Sequence, residues 1–348
     1  MLTSFTVKNY RLFEDLTIGP LGRINLITGA NNSGKTALLE ALWLYSGESS
    51  PYLLMGIHDM RALGLARPSR LDVWHGVFRN YDSDQRIEMV AERQAGAAHR
   101  LCISLGYASE FQLADSATSL PEGPPEQITF ETTFPGQEPE IVTGRIEGTN
   151  FEFSRIHKVV QPAAFLPSVS HKNRRQIHEW YSAIEARVDE DHVLNGLRMI
   201  EPRLTEIRQA PQDDNTIIMC RLDTPGLEDR RIPLNLLGGG VYRLFEILVA
   251  IVANPGGLVL IDEIENGLYH GVMANIWRAI GEVAAEFNVQ VFATTHSYEC
   301  VEAATEALGT DETLFRLHRV EARDGRTRAV TYDAETLEGA MEFEVEVR

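Results

Sequence analysis

Gly29-Ala30-Asn31-Asn32-Ser33-Gly34-Lys35-Thr36 is the stretch whose reading decides the fold. It has the form G-x-x-x-x-G-K-[ST], a loop whose successive backbone N–H groups converge on a phosphate chain. The glycines permit that convergence. Lys35 is placed to reach the β- and γ-phosphates of a nucleoside triphosphate, and the Thr36 hydroxyl to complete a Mg²⁺ shell. The flanks agree with this reading. Ile24-Asn25-Leu26-Ile27 leads in as a short buried strand, and residues 37–46 lead out as a helix ended by Gly47. The helix N-terminus adds its positive dipole end beneath the phosphates. Gly29, Asn31, Asn32, Ser33, Gly34, Lys35 and Thr36 are therefore the expected binding residues for ATP with Mg²⁺.

A second element lies far downstream. Leu258-Val259-Leu260-Ile261 is too short and too aliphatic for anything but a buried strand. It delivers Asp262 and Glu263 at its C-terminal end, where parallel α/β sheets bind ligands. Asp262 is expected to hold Mg²⁺ opposite Thr36, and Glu263 to orient and deprotonate an attacking water. A third element, Thr294-Thr295-His296-Ser297, again follows an apolar strand. His296 is placed to sense the γ-phosphate. A fourth, Gly238-Gly239-Gly240, opens a helix about twenty residues before Asp262. It reads either as a loop hinge or as a second anion-ready nest.

Composition sets the bounds. The chain has 348 residues, 44% hydrophobic and 24% charged, ordinary values for a globular protein. No stretch approaches the roughly 20 apolar residues of a membrane helix, and the N-terminus has no signal-peptide pattern, so a cytoplasmic location without membrane contact is expected. Cys102, Cys220 and Cys300 are expected to be reduced core thiols. The net charge of −18 argues against nucleic acid unless basic residues gather on one face. His171, Lys172, Arg174, Arg175 and His178 form one such cluster, which reads either as a solvated helix start or as that face. Asp82-Ser83-Asp84 reads as a turn and not as a metal site.

Along the chain, strands are expected around Phe5–Val7 and Leu16–Ile18, over 86–93, 100–106, 127–133, 139–147 and 150–160, with an irregular stretch up to residue 70 and a polar loop over 108–126. Helical periodicity covers 172–187 and 190–200. A hairpin over 217–234, helices over 241–252 and 270–287, a strand over 289–294 and a helix from Ser297 follow. The tail is a hairpin turning at Asp324-Gly325 and a short acidic helix. The expected fold is α/β: a mostly parallel core sheet, an antiparallel β lobe and a small helical subdomain. The lobes divide as 1–165, 166–215 and 216–348 of a single domain.

The order of glycine loop, Asp–Glu strand and histidine resembles that of ABC-type ATPases, the branch that includes SMC and RecF proteins. The resemblance is closest to the OLD-like (overcoming-lysogenization-defect) ATPases. It rests on Lys8-Asn9-Tyr10-Arg11-Leu12-Phe13, Gly29 to Glu40, Ile261 to Tyr269, Gln290 to Glu299 and Glu346-Val347-Arg348. It implies two heads meeting face to face, with Gly238 to Gly240 of one capping the ATP of the other and Asn266 to His270 at the seam. It thus implies a homodimer or higher assembly gating a separate effector protein, as in anti-phage defence. A DNA-repair ATPase touching nucleic acid directly, and a nucleotide-gated scaffold with negligible turnover, stand as rivals. Two departures accompany the resemblance. Gly238 stands roughly where ABC transporters carry a serine, and the usual glutamine loop has no clear counterpart beyond Gln161. The chain stops sixteen residues after Tyr332, so the expectation covers the ATPase domain without the Toprim nuclease of the OLD proteins.

Overall fold

The computed structural model describes residues 1–47, 51–61, 74–94, 96–107, 126–147, 150–154, 161–168, 174–212, 215–226, 230–309, 311–323, 325–333 and 336–337. A six-stranded sheet holds the phosphate loop. Its order is β16 (Arg326–Tyr332), β15 (Phe315–Arg323), β3 (Ile24–Thr28), β14 (Gln290–Thr294), β13 (Leu258–Ile261) and β9 (Ala163–Leu166). All pairs are parallel except β15 with β16. β3, β13 and β14 are buried at every position, as strands covered on both faces must be.

Alternation along these strands deals side chains to two cores. Ile24, Leu26, Val259, Ile261, Val291 and Ala293 face the first. Ile27, Leu258, Leu260 and Phe292 face the second. Helices α3 (Arg174–Arg187), α4 (Glu190–Arg198), α5 (Gly239–Ala253), α6 (Met273–Glu286) and α7 (Tyr298–Leu308) close the first core, with a small sheet of β10 (Leu204–Gln212), β11 (Asn215–Leu222) and β12 (Arg231–Pro233). The second core is closed by α1 (Lys35–Ser46) and a seven-stranded antiparallel sheet. That sheet runs β2 (Phe13–Ile18), β1 (Leu2–Tyr10), β4 (Ile87–Arg93), β5 (Gly96–Tyr107), β6 (Glu126–Thr133), β7 (Glu140–Glu147) and β8 (Asn150–Phe153). Leu38, Leu39 and Leu42 of α1 are fully buried between the two sheets. Truncating one of them to alanine would cost about 2–5 kcal/mol, so the helix behind the phosphate loop is firmly anchored.

Three elements depart from the sequence expectations. The stretch to residue 70 is not wholly irregular, because α2 (Pro51–Met60) forms there. Pro51 suits the first helical position, and Leu54 and Ile57 bury at helical spacing. β9 was not expected; Ala163-Ala164-Phe165-Leu166 is too brief for its period to be read. Helical character ends at Arg198, and 204–212 is strand β10. A bulge between Leu204 and Glu206 puts two buried residues, Leu204 and Ile207, three apart, which interrupts the alternation that marks a strand. The polar loop over 108–125 and the acidic segment after residue 337 lie outside the described residues.

Candidate functional site

β3 feeds the phosphate loop and α1 leaves it. Gly29 (φ 141°), Asn32 (φ 62°) and Gly34 (φ 107°) take left-handed backbone, the geometry that glycine allows cheaply. A Cβ on Gly29 would collide with the carbonyl oxygen of Val320 on β15, and one on Gly34 would lie 2.7 Å from the Phe13 ring. The loop is thus moulded by its own chain. Lys35 Nζ donates to the carbonyl oxygens of Gly29 at 2.6 Å and Ala30 at 3.1 Å. Burial lowers its pKa from the ordinary lysine value, and Asp262, Glu263 and Glu265 pull the other way.

Asp262 arrives from the end of β13. Thr36 Oγ1 donates to its carboxylate, 3.1 Å from Oδ1 and 3.2 Å from Oδ2. Thr294 Oγ1, at the end of the neighbouring β14, donates to Oδ1 at 2.7 Å, and Arg243 Nη2 to the Asp262 carbonyl at 3.3 Å. Burial raises the pKa of Asp262, the two threonine hydrogen bonds lower it, and Glu263 and Glu40 add to the rise. A carboxylate and a hydroxyl at this separation are the hard oxygen pair that suits Mg²⁺.

Glu263 takes φ 47°, a conformation that costs a non-glycine residue about 1–3 kcal/mol and clusters at functional sites. Its N–H donates to Thr294 Oγ1 at 2.8 Å, and its Oε2 accepts from Asn266 Nδ2 at 2.7 Å. His296 Nδ1 lies 3.9 Å from Glu263 Oε1 and 3.4 Å from Glu265 Oε1. The His296 N–H donates to Glu265 Oε1 at 3.0 Å. The histidine therefore sits between Glu263 and Glu265.

A cavity of about 840 Å³ runs over Asn31, Asn32, Gly34, Lys35, Thr36, Asp262 and Glu263, with Arg11, Glu40, Arg61 and Ser168 in its wall. Ser33 Oγ is buried beside it without a hydrogen-bond partner. His296 and Gly238–Gly240 stand outside that wall. Gly238 (φ 110°) precedes α5, and Leu236 and Tyr269 nearby are 70% and 65% exposed. Sequence reasoning missed Thr294, Arg243, Glu40 and Arg61. Thr294 meets Asp262 through strand register, which sets Ile261 beside Ala293 and so Asp262 beside Thr294.

Gln161 is corrected. Its amide is held by Arg93 Nη2 at 2.8 Å and by the Gly256 carbonyl at 3.1 Å, away from the cavity. Ser168, two residues after β9, occupies the wall instead. Asp82 Oδ1 accepts from the Asp84 N–H, so that pair is a turn, and no metal-binding cluster of His, Cys, Asp and Glu occurs among the described residues. Cys102, Cys220 and Cys300 are free thiols; burial pushes Cys220 up to about 11 and Cys300 to about 12. Arg174, Arg175 and His178 line a groove of about 1150 Å³ beside Leu236, with Arg175 paired to Glu179 at 2.9 Å. His171 and Lys172 lie outside the described residues.

Comparison with known proteins bears on the fold. The architecture superposes on the SMC head bound to the C-winged helix domain of ScpA with a TM-score of 0.51 and 13% identity, over 98% of this chain and 99% of that one. The chain has the fold of an ABC-type P-loop ATPase head. Residues 1–101 of the head match a family profile described as "AAA ATPase domain". Residues 146–302 match one described as "AAA domain, putative AbiEii toxin, Type IV TA system". The head is 24% identical over 338 residues to an "ATP/GTP phosphatase" of Helicobacter pylori, covering 88% of each chain. A stretch of 43 residues is 42% identical to the DNA replication and repair protein RecF of Idiomarina loihiensis, 12% of each chain. Among the described residues no helix is long and apolar enough to cross a membrane.

Proposed function

We propose that this head is a Mg²⁺-dependent ATP hydrolase whose cycle joins and separates two copies of the chain. The observation that carries the reading is the 3.1 Å contact between Thr36 and Asp262, which are 226 residues apart. Two halves of a metal–phosphate site meet there, at the C-terminal edge of the parallel strands. Lys35 and the loop N–H groups hold the β- and γ-phosphates. Thr36 and Asp262 hold Mg²⁺, which supplies positive charge to the phosphate oxygens when bound. Glu263, fixed by Asn266, accepts a proton from water as its oxygen attacks the γ-phosphorus. The bond from phosphorus to the β–γ bridging oxygen breaks, and ADP and phosphate leave. His296 reports the γ-phosphate to Glu265. The phosphatase named among the relatives supports turnover and leaves GTP open as a second substrate.

Gly238–Gly240 of a second copy cap the triphosphate in trans, and the exposed Leu236 and Tyr269 lie at that seam. A separate effector then reads the joined state; the toxin–antitoxin wording of the family profile supports a role in anti-phage defence. The second reading, a head acting on DNA directly, draws on the RecF stretch and on Arg174, Arg175 and His178. Steady-state hydrolysis with and without double-stranded DNA, with Glu263→Gln as the blank, tests both. DNA-independent turnover supports the effector reading, stimulation by DNA supports the second, and equal rates for wild type and Glu263→Gln contradict the assigned base.

A further inference from the structure

Glu40 has no task in the hydrolysis scheme, yet among the described residues it is one of the most buried charges, 1% exposed. It projects from α1 five residues after Lys35. A carboxylate taken out of water costs several kcal/mol unless it is neutralised. Arg61, just past α2, grips it at two points, Nε to Oε1 at 2.6 Å and Nη2 to Oε2 at 3.1 Å. Arg11, in the turn after β1, reaches Oε2 through Nε at 2.9 Å, and the Tyr10 hydroxyl donates to the same oxygen at 3.4 Å. Three segments distant in sequence thus converge on one carboxylate.

Fold stability alone does not call for this arrangement, since apolar side chains of similar volume commonly serve as well as a buried ion pair. Location points to another role. Arg11, Glu40 and Arg61 all line the nucleotide cavity. Two guanidinium groups against one carboxylate leave one positive charge in excess on that wall. A phosphate chain in the cavity offers the compensating charge to the two guanidinium groups that line it.

We propose that Glu40 is a positioning residue: it holds the Arg11 and Arg61 guanidinium groups in the cavity wall, oriented toward the phosphate chain of the nucleotide. It acts on affinity and leaves the chemical step untouched. The inference rests on the ATP-hydrolase reading above. It carries a sign of its own. Glu40→Gln removes a negative charge from an anion site, so a purely electrostatic role makes ATP bind more tightly. A positioning role makes ATP bind more weakly, because the guanidinium groups lose their fixed orientation.

The test is KM and kcat for Mg·ATP, with thermal midpoints, for wild type, Glu40→Gln, Arg61→Ala, Arg61→Lys and the double variant Glu40→Gln/Arg61→Ala. Loss of one oriented charge-assisted contact predicts a KM rise of about tenfold for Glu40→Gln and for Arg61→Ala, with kcat within about twofold. The double variant is no worse than the weaker single, since both remove the same arrangement. Arg61→Lys, which keeps the charge and loses the fork, falls between wild type and Arg61→Ala. Should Glu40→Gln fail to fold, the half-exposed Arg61 positions carry the test. An unchanged or lower KM in Glu40→Gln, or an unchanged KM in Arg61→Ala, overturns the proposal. A wild type without ATP turnover instead overturns the hydrolase reading on which it rests.

Discussion

The phosphate loop and the Gly238–Gly240 loop are both glycine-rich turns that open a helix, but their glycines answer to different neighbours. In the phosphate loop the demand is internal: Val320 and Phe13 leave no room for a Cβ on Gly29 or Gly34. In the second loop a Cβ on Gly238 would meet nothing within 4 Å, and one on Gly239 only the Gly267 carbonyl at 3.8 Å. Gly238 needs glycine for its φ of 110°, while Gly239 and Gly240 have no positive φ. Two glycines in the first turn of α5 cost about 0.5–1 kcal/mol each relative to alanine, and nothing in their own chain requires them. On the reading proposed here the space they leave is filled by the phosphate bound to a second head.

Breaking the nucleotide side, the phosphate loop and the carboxylates facing it, has the largest expected effect. Glu263→Gln lowers turnover by about 10²–10⁴-fold while ATP binding persists; single-turnover and equilibrium binding measurements separate the two. Lys35→Ala weakens ATP binding by roughly a hundredfold, as a buried charge-assisted contact is lost, and isothermal titration reads this directly. The second loop behaves differently. Gly239→Glu has space in the isolated head and a favourable place in the first turn of α5, so its thermal midpoint stays at or above wild type while turnover collapses. Gly239→Ala raises monomer stability by about 0.4–1 kcal/mol, seen in the denaturant midpoint. A loss of stability in either variant would show that the glycines serve their own fold, and the contrast would fail.

Acid should weaken the support of the phosphate loop. Burial holds His318 on β15 near 3 and His99 on β5 near 4, both below the free imidazole value of about 6.5. The unfolded chain therefore takes up protons that the folded chain refuses. Stability is complete above about pH 6.5 and falls toward pH 4 by about 1.4 kcal/mol per unit for each histidine. His318→Gln removes its share of that slope in urea titrations at pH 7 and pH 5.

The nucleotide side was legible because its signals are local: Gly29 to Thr36 is one run, and Leu258–Ile261 can only be a buried strand ahead of Asp262 and Glu263. The parallel core sheet and the antiparallel β lobe followed from such runs. What stayed hidden is set by pairing across the chain. Thr294 joins Asp262 only through strand register. Arg11 and Arg61 meet at Glu40 only because α1 is packed between the two sheets. β10 was obscured by its bulge, and β9 by its length of 4 residues. Gln161 was singled out by residue type and by its place just after the β-rich lobe, and Arg93 and Gly256 show it bound elsewhere.

The central claim is that a working site takes its phosphate loop from one chain and its glycine cap from another. The most direct test mixes Lys35→Ala, which keeps the cap, with Gly239→Glu, which keeps the phosphate loop, and measures ATP hydrolysis. Each variant alone is predicted to be inactive and the mixture to regain turnover, because a mixed pair contains one intact composite site. A mixture as inactive as its components, or a Gly239→Glu protein that hydrolyses ATP at the wild-type rate, would contradict the account.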